Sequence, residues 1–197
     1  MTAIPANSAA EVATGTVPLN RYVVFCSIAG IGCAVDLVTK AWVFSNQALR
    51  AGQVLWLWQD HVGIQLSRNW GALFGMGQGK VWLFATLGIL AMLAIPTWLF
   101  VFRAARDRWV NVAMGSVMGG VLGNLFDRLG FSGEDWAGPM LNSPDAVHSV
   151  RDWILWQVNN QWRWPNFNIA DSMLVCGACL LFFHAWRQPS GHSVKKA

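Results

Sequence analysis

Charge is what this chain has least of. Asp, Glu, Lys and Arg make up 12% of its 197 residues, against 54% hydrophobic ones, a balance outside the range of soluble globular domains. The mean hydropathy is positive, at +0.36. An ordinary water-soluble enzyme is thereby excluded, and nucleic acid is not an expected partner. Also missing are an HExxH helix, a zinc-like Cys/His spacing and a glycine-rich phosphate loop, so neither a metal nor a cofactor is expected. The four cysteines, Cys26, Cys33, Cys176 and Cys179, all fall inside apolar runs and read as small buried apolar residues. Cys33 lacks the leucine-like residue three positions earlier that would mark a lipidated cysteine. Residues 1–20 carry no basic cluster, so they read as a disordered tail, not a cleaved secretion signal.

What the chain has in abundance is long apolar runs. Four of them, Tyr22 to Phe44, Val81 to Phe102, Val110 to Arg128 and Phe167 to Trp186, reach the roughly 20 helical residues needed to cross a bilayer core. The expected fold is an all-α membrane protein: one domain over 1–197, a four-helix bundle with a small β-sheet in an outer loop. Pro96 should kink the second span without ending it. Gly115, Gly119 and Gly123 put a small residue at every fourth position of the third, which lets a neighbouring helix approach closely.

Basic residues orient the bundle. Arg103, Arg106 and Arg108 crowd the short link between the second and third spans, and Arg187, Lys195 and Lys196 follow the fourth, so those ends should be cytoplasmic. Both termini are then inside, with 187–197 a cytoplasmic tail. The long links 45–80 and 129–166 lie outside. Ten of the thirteen tryptophans sit at or beyond the outer span ends, as expected of rings that prefer the headgroup level. In the first outer loop, residues 54–59 and 62–67 flank Asp60-His61 and predict two short strands with a turn.

Polar residues inside the spans point to function, because ionisable groups in lipid are costly. Asp36 lies about 12 Å below the outer surface and Asp171 about 6 Å, at the helical rise of 1.5 Å per residue. Asp127 closes the third span at its outer end, and Asp152 reaches the same level from the loop above. Asp36 and Lys40 are spaced to pair along one helix face. Asp127 and Arg128, beside Asn124, suit a helix end. Asp171 falls in a first helical turn, where the dipole favours negative charge. Two carboxylates brought together share a proton and can act as acid and base. A serine triad of His148, Ser172 and Asp152 lacks a nucleophile elbow and an evident oxyanion hole.

Five blocks occur in order along this topology: DLVTK (36–40), NWGALFG (69–75), GNLFDR (123–128), VRDW (150–153) and FNIADS (167–172). With them the chain closely resembles the lipoprotein signal peptidase (type II signal peptidase) family over nearly all of residues 22–186. The resemblance implies a metal-independent aspartic endopeptidase of the bacterial inner membrane, working near its periplasmic face. Its partners would be membrane lipids and lipid-modified prolipoproteins, which it would cut before the lipidated cysteine, as a monomer. Carried over by position, Asp152 and Asp171 are the catalytic pair. Asn69, Asn124, Arg128 and Asn168 surround substrate and pair, while Asp36, Lys40 and Asp127 mainly hold the helices.

Three departures stand out. Residues 131–149 form an insertion, rich in Gly, Pro, Ser, Asn and acidic residues, that reads as a mobile surface loop. Trp153 stands where phenylalanine is common, and Leu73 replaces a small residue. A proton- or ion-linked carrier is the alternative, since buried carboxylates suit it too, but the chain shows no internal repeat and its acids collect at one face. A non-catalytic scaffold would explain the glycine stripe and leave the convergent carboxylates without a role.

Overall fold

The structure, a computed structural model, describes residues 16–71, 77, 79–136, 146–159 and 161–187. The two expected tails lie mostly outside these residues, as do Leu73 and the middle of the 131–149 insertion. Four helices carry the apolar runs: α1 (Leu19–Phe44), α2 (Val81–Pro96), α3 (Arg108–Arg128) and α4 (Ile169–Arg187). Each is long and apolar enough to cross a membrane, α2 when taken with the turn Thr97–Val101 that continues it. That turn is π-helical, so Pro96 loosens the helix without stopping it. The all-α membrane fold with a small sheet is therefore the one present.

Helix starts differ from the sequence reading where local chemistry intervenes. Helix α1 begins earlier, at Leu19, directly after Pro18, which has no N–H to satisfy. In α3 the start is set by Asp107, whose carboxylate accepts from the backbone N–H of Trp109 (2.8 Å) and Val110 (3.3 Å) as an N-cap does. Helix α4 starts at Ile169, not Phe167. Asn168 Oδ1 accepts from Asp171 N at 2.8 Å while Asp171 Oδ2 accepts from Asn168 N at 3.3 Å, a reciprocal capping box.

Helix α3 is the hub. Of its apolar stretch 56% is buried, against 17%, 17% and 11% in α1, α2 and α4, because it alone touches all three others extensively. Its glycines make that possible. A Cβ on Gly123 would collide with the Asp36 carboxyl of α1, and one on Gly120 with the Ala170 carbonyl of α4. Leu99, Ala105, Met118 and Phe25 close the core at the end of the bundle where the two arginine-flanked helix ends lie.

At the other end stands an antiparallel sheet of order β1-β2-β3: Leu55–Trp58, Val62–Asn69 and Val150–Trp156. The first two strands are those expected around Asp60, which takes the turn with φ +60°. The third was not expected. No strand was expected in the outer link 129–166, yet VRDWILW pairs along β2, from Asn69 opposite Val150 to Val62 opposite Trp156. Its first three residues are buried in succession, so the strand lacks the alternation by which half-buried strands are recognised. Val43, Phe44, Leu49, Ile64 and Leu66 form the core joining this sheet to the end of α1.

Candidate active site

Phe167, two residues ahead of α4, pairs through backbone bonds with the middle of β3. Phe167 O accepts from Trp153 N (3.1 Å) and Ile154 N (2.8 Å), and Phe167 N donates to Ile154 O (3.2 Å). This places Asp152, third in β3, beside Asp171, in the first turn of α4. Asn168 lies between them, fully buried. Its side-chain amide donates to Asp152 Oδ1 at 2.6 Å and to Asn124 Oδ1 at 3.1 Å, while its backbone N–H serves Asp171. Asn124 in turn donates to Asp171 Oδ1 at 2.8 Å. The Asn69 side chain also hydrogen-bonds Asp152. Three amides thus surround two carboxylates. Asp152 is 1% exposed, and its pKa is held well above the ordinary carboxylate value by burial first and by the Asp171 charge second.

A groove of about 380 Å³ runs between α2, α3 and α4. Asp171, Asn124 and Arg128 line it together with apolar side chains such as Phe84, Leu125 and Leu174. Arg128 donates to Gly71 O at 3.0 Å and lies 5.6 Å from the Phe84 ring. Asp152 is not part of the groove wall; it sits behind Asn168.

The remaining polar residues form a second cluster. Lys40 Nζ lies 2.7 Å from Asp36 Oδ2, 3.0 Å from Asp127 Oδ2 and 3.0 Å from Asn124 Oδ1. Asp36 Oδ1 accepts from Ala170 N at 2.9 Å, tying α1 to the start of α4. Asp127 accepts from Arg151 Nε and its backbone N–H at 2.8 and 3.1 Å. Sequence reasoning had not singled out Arg151, although a buried aspartate at a helix end asks for a cation and VRDW supplies one. It also passed over Arg68, which is buried on β2. Of the weighed triad, Ser172 donates to its own helix, to Asn168 O at 3.0 Å, and His148 Nδ1 lies 3.1 Å from Arg128 O.

Fold and site together define a multi-pass membrane protein in which two neighbouring carboxylates lie beside a groove lined mainly by apolar side chains. The sequence profile of the family described as Signal peptidase (SPase) II matches residues 28–187. The lipoprotein signal peptidase of Rhodopirellula baltica is 47% identical over 171 residues, covering 86% of this chain and 74% of that one. That of Rhodococcus jostii is 35% identical, covering 78% and 68%. A solved bacterial membrane enzyme superposes with a TM-score of 0.64 at 25% identity, over 88% of this chain and 93% of the other. This chain belongs to the signal peptidase II family, and is a peptidase.

Proposed function

We propose that the protein is an aspartic endopeptidase that removes the signal peptide from diacylglyceryl-modified prolipoproteins by cutting before the lipidated cysteine. The observation that carries this reading is that one buried asparagine, Asn168, is hydrogen-bonded to both Asp152 and Asp171. Two acids held so close do not both ionise. The fully buried Asp152 keeps the shared proton. Asp171 is the ionised partner, since the N-terminus of α4 and the Asn124 amide favour its negative charge. Asp171 takes a proton from water in the groove it lines while Asp152 gives its proton to the carbonyl oxygen; Asp171 then passes the water's proton to the leaving amine as Asp152 recovers one from the tetrahedral diol. Substrate entry has to open Asp152 to the groove, consistent with catalytic geometry that tightens only once substrate is bound.

The rest of the site suits a lipid-anchored peptide. Acyl chains lie along Phe84, Leu125 and Leu174, which sets the modified cysteine at the depth of the carboxylates. Arg128 and Asn124 offer donors to the peptide at the groove mouth. Asn69 and Asn168 orient Asp152, and Asp36, Lys40 and Asp127 hold the helices around it. The positive-inside pattern puts both termini in the cytoplasm and the site near the periplasmic face of the inner membrane. The protein acts as a monomer and needs no cofactor. Incubating purified protein with a diacylglyceryl-modified precursor peptide and mapping the product by mass spectrometry tests this. The expected product begins at the modified cysteine; an uncleaved precursor, or cleavage elsewhere, contradicts it.

A further inference from the structure

Asp152 is fixed on one side by the Phe167 bridges, which leaves the question of what fixes the start of its strand. The sheet does not do so alone. The register between β2 and β3 is interrupted between Ile64 and Ser67, so the pairs Ser67–Asp152, Arg68–Arg151 and Asn69–Val150 form their own short ladder. A three-pair ladder set off by an irregularity gains little from the pairing beyond it, which leaves some freedom at its far end.

Arg68 closes that freedom. Its Nε donates to Trp136 O at 2.8 Å, Nη2 to Glu134 O at 3.1 Å and Nη1 to Ser149 O at 3.2 Å. The three carbonyls come from the two ends of the 131–149 insertion, so one planar fork ties the neck of that insertion shut immediately before β3. Beneath it, the guanidinium lies 5.3 Å from the centre of the Phe44 ring, and that of Arg151 lies 5.9 Å from the same ring. Trp136 meets this ring edge-on at 5.7 Å and donates its indole N–H to Arg50 O at 3.0 Å. The first residues of the insertion are thus anchored, which corrects the expectation of a mobile loop for Glu134–Trp136. Burial pushes the Arg68 pKa down to about 10, and a buried cation is a poor way to gain stability alone. What a rigid five-donor fork provides, and a lysine cannot, is several bonds in one fixed geometry.

We propose that Arg68 is a positioning residue for Asp152: by clamping Ser149 to Glu134 and Trp136 it fixes where β3 begins, and so where the Asp152 carboxyl meets Asn168 and Asp171. The inference rests on the proposed dyad. The test measures kcat, KM and the pH profile per folded molecule, on lipidated precursor, for Arg68→Lys, Arg68→Gln, Arg50→Ala and Asp152→Asn. Arg68→Lys should lower kcat about tenfold or more, the scale of small misplacements in an active site, with KM little changed. The alkaline limb of its kcat profile should move to lower pH, because a looser Asp152 is better hydrated. Arg68→Gln should be slower still. Arg50→Ala, which breaks the side-chain pairs to Glu134 and Asp135 and the bond to Phe44 O but leaves the Arg68 fork intact, should leave kcat and the limb in place. A dead Asp152→Asn together with an Arg68→Lys of native kcat and native pH profile would overturn the positioning role alone. An active Asp152→Asn would remove the dyad and this role with it. If neither Arg68 variant yields folded protein, Arg68 is a folding determinant and the proposal is wrong.

Discussion

Two groups of carboxylates share the end of the bundle that carries the sheet, and they are built on opposite principles. In the first, Asp36 and Asp127 face Lys40 and Arg151: two acids, two bases, with contacts of 2.7 to 3.0 Å between them. In the second, Asp152 and Asp171 take side-chain hydrogen bonds from Asn69, Asn124 and Asn168, and among the described residues no cation is paired directly with either. The balanced group spans α1, α3 and β3 and can be fully ionised. In the unbalanced one Arg128 acts only from a distance, and on the proposed reading the two acids share a proton. Lys40 stands at the border, bonded through Asn124 to the unbalanced side. On the proposed reading, one low-dielectric region separates holding a fold from doing chemistry: neutral donors orient carboxylates without quenching them.

The largest stability effect should come from unbalancing the balanced group. Asp127→Asn or Lys40→Met leaves a buried charge without its partner, which typically costs about 3–5 kcal/mol. Thermal unfolding in detergent should show a large drop in midpoint, and a midpoint close to that of the parent would refute the holding role.

The opposite sign is expected in the unbalanced group. The raised folded pKa of Asp152 means that its contribution to stability is present below the unfolded carboxylate value of about 3.9 and is lost as pH rises towards and through the folded value. Asp152→Asn should therefore match the parent at pH 4 and unfold at the same or a higher temperature at pH 8. A lower midpoint at pH 8 would mean that Asp152 is a stabilising residue. The same shift should place the alkaline limb of kcat above the ordinary carboxylate range in the parent enzyme.

The smallest effect should be that of Ser172→Ala. Its hydroxyl only returns to Asn168 O within α4, so turnover should stay within about threefold and stability within about 1 kcal/mol, as for loss of one helical side-chain bond. A dead but folded variant would revive the serine alternative.

Much of this arrangement was legible in sequence. The four spans follow from length and hydropathy, and the β1–β2 hairpin from alternation around Asp60-His61. Helical rise alone places Asp36, Asp127 and Asp171 near one level. What was not legible has physical causes. Strand β3 buries Val150, Arg151 and Asp152 in a row, so its polar, non-alternating start hides it. Arg151 and Arg68 are cations whose partners lie 24 and 66 to 81 positions away in the chain, distances at which no local pattern speaks. The start of α4 moved by two residues because Asn168 and Asp171 cap each other, a box in which Asn and Asp take the places usually held by Ser/Thr and Glu/Gln.

The claim that matters most is that the unbalanced pair, and not the balanced one, carries the reaction. The direct measurement is single-turnover cleavage of a diacylglyceryl-modified precursor by Asp152→Asn, Asp171→Asn, their double variant and Asp127→Asn, each normalised to folded protein. Asp152→Asn and Asp171→Asn should each lose about a thousandfold or more, and the double variant little beyond either, as for groups that act as one unit. Asp127→Asn, though less stable, should keep turnover per folded molecule near that of the parent. A folded but inactive Asp127→Asn beside an active Asp152→Asn would show that the catalytic pair lies across the border.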